Sequence, residues 1–160
     1  MKWLDVSAGW SHVVLSGKKD TYAENKRVYA AWGRNDLGQL SCCDGEYRSI
    51  SHIRLPQIIK EPTEHGIDKP LEHVVCGSEF TLALSSGDGC LYACGWNEHG
   101  NLGTGDVING NEGWRKVQEY VETRNSNHKQ HQNGQSHQKW PKSLAAGGAH
   151  CLVSLTSSYG

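Results

Sequence analysis

One short pattern occurs twice in this chain. Gly33-x-Asn35-x-x-Gly38-x-Leu40 returns 62 residues further on as Gly95-x-Asn97-x-x-Gly100-x-Leu102. Four residue types at identical offsets mark a repeated structural unit, and a repeat constrains the architecture before any single residue constrains the chemistry. Each residue type has a turn-building reason. Gly33 and Gly95 end a strand where a Cβ would obstruct the reversal, and Gly38 and Gly100 permit a second one. Asn35 and Asn97 are expected either to bond their own backbone two residues on or to take the left-handed conformation. Leu40 and Leu102 return apolar surface to the core. No Lys-Ser/Thr pair follows the glycines and no helix is signalled, so this is not a phosphate cradle.

A second element precedes each octet and recurs three times. Its anchors are Ala8-Gly9, Cys76-Gly77 and Ala146-Gly147, spaced by 68 and 70 residues. An apolar run leads into each glycine, and a second run follows the turn, from His12, Phe80 or His150. Ser86-Gly87-Asp88-Gly89 then reads as a hairpin turn, followed by Cys90 to Cys94; Arg27 to Trp32 occupies that place in the first unit. A short fourth strand is expected near the octet leucine. Four short antiparallel strands per unit is the pattern of a propeller blade. The units are placed at 3–40, 72–105 and 143–155, with long insertions at 41–70 and 106–142, all within one incomplete propeller domain spanning 1–160.

Nineteen glycines between short apolar runs support an all-β chain. The net charge of -1, with only a small basic patch at Lys18-Lys19 and Lys26-Arg27, argues against direct nucleic-acid or chromatin binding. No apolar run matches a membrane span. The N-terminal MKWLDVSAGW lacks the signal-peptide pattern, so a cytoplasmic location is expected, with the nucleus as a second site. The six cysteines then read as reduced thiols.

The residues Val6 to Leu15 with Val28 to Leu40, and Val74 to Leu84 with Leu91 to Gly105, resemble the regulator of chromosome condensation (RCC-type) repeat family; Leu144 to Leu155 is similar to the first half of another repeat. The resemblance implies a β-propeller of seven blades. The chain then supplies two full blades and a half, so closure within one copy is not expected, and missing blades or assembly with other chains would complete the ring. Within the family, Gly95-Trp96-Asn97-Glu98-His99-Gly100 is similar to the last full repeat of the secretion-regulating guanine nucleotide exchange factors and of the fungal alpha-tubulin suppressor proteins.

His12 and His150 occupy equivalent positions, where the middle unit has Phe80. A site that accepts either side chain reads as space-filling, with the imidazole bonded to local backbone. Cys90 and Cys94 are roughly 13 Å apart if extended, too far to share a zinc ion. They and Cys76 read as core, and Cys42-Cys43 has no partner pair. His128, His131 and His137 fall in a stretch, 122–139, without any apolar residue, which reads as a mobile loop. No metal or cofactor is expected. Trp96, Asn97, Glu98 and His99 sit between octet glycines and form the main candidate partner-contact cluster, with Arg34, Asp36, Trp10 and Glu79 as further candidates; the same string would also serve to stabilise the turn. Gly9, Gly33, Asn35, Gly38, Leu40, Gly77, Gly95, Asn97, Gly100, Leu102 and Gly147 form the structural repeat motif.

No nucleophile–base pair or paired carboxylates emerge, so a noncatalytic protein-interaction module is expected. The resemblance implies an exchange factor-like regulator of a small GTPase or of secretion. The fungal relatives imply an alternative, a propeller partner of a small zinc protein in tRNA wobble-uridine and diphthamide modification. A propeller enzyme with a central metal is the weakest alternative, because the equivalent inward positions are mostly Ala, Gly, Val and Leu.

Overall fold

The computed structural model describes residues 2–18, 27–41, 53–59, 61–64, 67–68, 70–86, 88–117 and 139–157. The readings that rest on Lys19, Lys26, Cys42, Cys43, His128, His131 and His137 lie outside the described residues. Every regular element among the described residues is a strand. β1 (Lys2–Ala8), β2 (His12–Lys18), β3 (Arg27–Gly33) and β4 (Ile53–Ile58) form one antiparallel sheet in chain order. After a small hairpin of β5 (Thr63–Glu64) and β6 (Ile67–Asp68), β7 (Leu71–Cys76), β8 (Phe80–Ser85), β9 (Leu91–Gly95) and β10 (Arg115–Lys116) form a second sheet of the same order. β11 (Lys139–Gly147) and β12 (His150–Ser157) pair as a third, two-stranded sheet. These are two four-stranded blades and a half.

The repeat is written into the register. Ala8 faces Val13, Cys76 faces Thr81 and Ala146 faces Cys151 in the three first hairpins. Each hairpin also carries a bulge at the matching place, between Trp3 and Asp5, Leu71 and His73, and Pro141 and Ser143. A bulge bends a strand and increases its twist, so three matched bulges impose one common curvature. His12 pairs with Gly33 as Phe80 pairs with Gly95. At that crossing the octet glycine is required: Gly33 and Gly95 have φ of 110° and 107°, and an added Cβ would stand 2.3 Å from Ser11 O or 2.5 Å from Glu79 O.

The core lies between the blades. Val14, Tyr29 and Ala31 from the first sheet and Leu40 from the octet turn meet Leu71, Cys76 and Ala83 from the second. Phe80, Leu82, Leu84, Ala93 and Leu102 meet Leu144, Ala146, Cys151 and Val153 of the half-blade. Alternation along β8 divides its side chains between the two cores, so all six of its residues are buried. The outer faces carry the unpaired halves of such interfaces. Leu152 is 73% exposed, whereas its equivalents Leu82 and Val14 are 1% and 2% exposed. Val6, equivalent to Val74 and Leu144, is 59% exposed.

Four sequence expectations are corrected. The fourth strands, β4 and β10, lie well beyond the octet leucines, inside the stretches read as insertions. Leu40 and Leu102 themselves sit in turns, fully buried. The octet asparagines neither bond two residues on nor take positive φ. Asn35 Oδ1 accepts the N–H of Leu40 and Asn97 Oδ1 that of Leu102, both at 2.9 Å, while their carbonyls accept from Gly38 and Gly100. The octet therefore closes on itself around one amide. His12 bonds a side chain of the next blade rather than local backbone. Cys90 precedes β9 and is half-buried; Cys76 and Cys94 are core.

Candidate functional site

Backbone bonds draw equivalent turns of successive units to one end of the molecule. Trp10 N–H donates to Ser78 O at 2.8 Å and Ser78 N–H to Gly148 O at 3.1 Å. Ser78 Oγ also donates to Gly148 O, at 2.6 Å. The octets join the same end: Arg34 N–H donates to Ser11 O and Trp96 N–H to Glu79 O. Gly9 and Gly77 lie in these turns, and Gly147 ends β11 beside the third. Residues far apart in the chain thus share one surface.

Glu79 is its electrostatic centre. Its Oε2 accepts from Ser11 Oγ at 2.7 Å and from Gln39 Nε2 at 2.9 Å, and Oε1 from Arg34 at 3.4 Å. Arg34 holds both oxygens of Asp36 at 2.6 Å, and those bonds keep the Asp36 carboxyl below the usual carboxylate range. Trp96 and His99 form an edge-on aromatic pair with centroids 4.9 Å apart. Trp10, Asp36, Glu98 and His99 are exposed and Trp96 is half-buried, whereas Asn97 is fully buried. The structure therefore brings Trp10, Arg34, Asp36, Glu79, Trp96, Glu98 and His99 to one end and withdraws Asn97 into the turn.

Two residues that sequence reasoning missed hold this end together. Gln39 is fully buried. Its side chain donates to Glu79 and accepts the N–H of Leu37, while its carbonyl accepts from Thr81 Oγ1 at 2.6 Å. Because the Thr81 hydrogen goes to Gln39, His12 donates to Thr81 Oγ1 from Nε2, at 3.0 Å. This relay ties the first blade to the second. The half-blade repeats the contact in kind: Cys151, at the place of Thr81, points its Sγ at the carbonyl of Asn101, the octet equivalent of Gln39. The loop after the second octet is fixed separately, by Arg115 gripping Asp106, which holds that carboxyl far below its usual range.

The two kinds of contact differ in weight. Arg34→Ala is expected to cost less than about 1 kcal/mol, since the Arg34 and Asp36 side chains are each 36% exposed. Gln39→Ala is expected to cost about 2 kcal/mol, because it leaves the Leu37 N–H and a Glu79 oxygen short of partners. Urea unfolding of both variants checks the order.

Among the described residues no group of three His, Cys, Asp or Glu side chains could hold a metal ion. A groove of about 240 Å³ opens beside the first octet, lined in part by Asn35, Gly38, Ser41, Glu61, Glu112 and Trp114.

An all-β chain of four-stranded blades with cores between successive sheets is part of a β-propeller. Residues 27–84 and 72–101 match two family models, each described as the regulator of chromosome condensation (RCC1) repeat, so the chain carries repeats of that kind. It is 40% identical over 76 residues to Protein RCC2 homolog of Xenopus laevis, a match covering 48% of this chain and 13% of the relative. To the secretion-regulating guanine nucleotide exchange factor of Mus musculus it is 30% identical over 115 residues, covering 65% of this chain and 22% of the relative. The chain thus spans less than a quarter of the length of these relatives. The crystal structure of Prp20p from Saccharomyces cerevisiae superposes with a TM-score of 0.65 at 13% identity, over 98% of this chain and 31% of that one. That likeness carries the fold. Prp20p was described together with its binding properties to Gsp1p and histones.

Proposed function

We propose that this chain is a noncatalytic protein-interaction module whose blades belong to a guanine nucleotide exchange factor-like regulator of a small GTPase or of secretion, acting in the cytoplasm or nucleus. The observation that carries this reading is the convergence of Trp10, Arg34, Asp36, Glu79, Trp96, Glu98 and His99 on one end, set on buried turns. Exposed aromatic and charged side chains on a rigid support are what a recognition surface needs. The similarity to the secretion-regulating exchange factor supports the class of partner. An exchange factor works by distorting the nucleotide site of its partner, so it requires shaped loops and no reactive group.

Affinity capture with the full chain, followed by mass spectrometry, tests it. A small GTPase is expected to be recovered from wild type and to lose at least about tenfold in affinity on Trp96→Ala, in the range of an interface hot spot. Recovery of a small zinc protein with tRNA-modification subunits, or unchanged capture by Trp96→Ala, contradicts it.

A further inference from the structure

Trp10 is 85% exposed at the tip of the β1–β2 turn. Its N–H is anchored to Ser78 O and that of Trp96 to Glu79 O, so the backbones of the two tryptophans bracket one dipeptide. Glu79 belongs to that dipeptide, and Asp36 and Glu98 stand on the two octet turns beside it; among the described residues the guanidinium of Arg34 faces these three carboxylates. That guanidinium is already spent on Asp36 and Glu79. No ion pair engages Glu98 among the described residues. The end therefore carries surplus negative charge beside an open indole, the aromatic face that attracts cations most strongly.

Building on the reading of this end as a recognition surface, we propose that it docks a basic segment of its partner protein, with a lysine or arginine side chain over the face of Trp10. Further basic residues of that segment answer the carboxylates. An acidic segment would meet carboxylates whose cation among the described residues, Arg34, is already paired, and like-charge juxtaposition opposes docking. A purely apolar segment would gain the indole but strip water from Glu98 without replacing it.

The test titrates the full chain with a decapeptide of alternating lysine and glycine, and with its glutamate counterpart, followed by calorimetry. The lysine peptide is expected to bind, more weakly as salt screens the charges, and the glutamate peptide not to bind. Trp10→Ala and Glu98→Gln are each expected to weaken binding about three- to fivefold. Both positions are exposed, and unchanged melting temperatures confirm that the variants fold. Equal or tighter binding of the glutamate peptide, or a lysine-peptide affinity that neither substitution alters, overturns the proposal. Loss of a captured partner on Trp96→Ala without any binding of the lysine peptide would refute the basic segment and leave the recognition surface standing. Retention of that partner by Trp96→Ala would refute the surface itself.

Discussion

Asn97→Ala is expected to be the most destabilising polar truncation in the second blade, by about 3 to 4 kcal/mol. Asn97 is fully buried. Its Oδ1 is the acceptor for Leu102 N–H, and its Nδ2 donates to the carbonyls of Asp106 and Ile108, both at 3.0 Å. Truncation leaves the buried Leu102 N–H with no acceptor and takes the amide donor from the Asp106 carbonyl, while the Ile108 carbonyl keeps Arg115. Each buried unsatisfied group costs about 1 to 3 kcal/mol. Asn97→Asp keeps the acceptor but turns a carboxylate oxygen toward those carbonyls and toward Asp106, so it should be no better. Glu98→Ala, one residue on and exposed, should stay within about 0.5 kcal/mol of wild type. Urea unfolding of the three variants checks the ranking; equal costs for Asn97→Ala and Glu98→Ala would refute the closed-octet description.

Acid should weaken the joint between the blades before it protonates the surface carboxylates. Burial lowers the pKa of His12 to about 4, outweighing the opposite pull of Glu79 and the Phe80 backbone. In the unfolded chain the imidazole titrates near 6.5. Between these values the unfolded state binds more protons, so stability rises with pH. The contribution is fully present above about pH 6.5 and is lost as pH falls through the window toward about 4. Between pH 7 and pH 5 the loss is expected to be about 2 kcal/mol. Asp36 and Asp106, whose pKa values are depressed, lose their contributions only below the ordinary carboxylate range, so the two effects separate. His12→Phe, which installs the residue found at Phe80, should flatten the profile between pH 7 and pH 5. Urea unfolding of both proteins across that interval reads the difference.

What was legible in the sequence is local. The octets and the three glycine anchors showed the period because tight turns demand particular residues at fixed offsets. β8 and β9 read as short apolar runs because they are buried on both faces. The fourth strands were not legible: β10 is the two residues Arg115–Lys116, and β4 includes Pro56, which weakens a strand signal. Nor was the interblade relay. His12 and Thr81 lie 69 residues apart and Thr81 and Gln39 42 apart, and no local pattern announces that they meet. The octet glycines place Trp96, Asn97, Glu98 and His99 in a turn, where the structure has them, but they do not separate Asn97 from Trp96 and Glu98. Only the geometry shows that its amide faces inward, onto the carbonyls of Asp106 and Ile108.

The recognition surface is tested most directly by hydroxyl-radical footprinting of the full chain, alone and with the partner recovered by affinity capture. Trp10, Trp96 and His99 are expected to become protected, while Trp3, 44% exposed on β1, keeps its reactivity. Protection of Trp3 or of Trp114 in the groove, with Trp10 and Trp96 still reactive, would contradict the account.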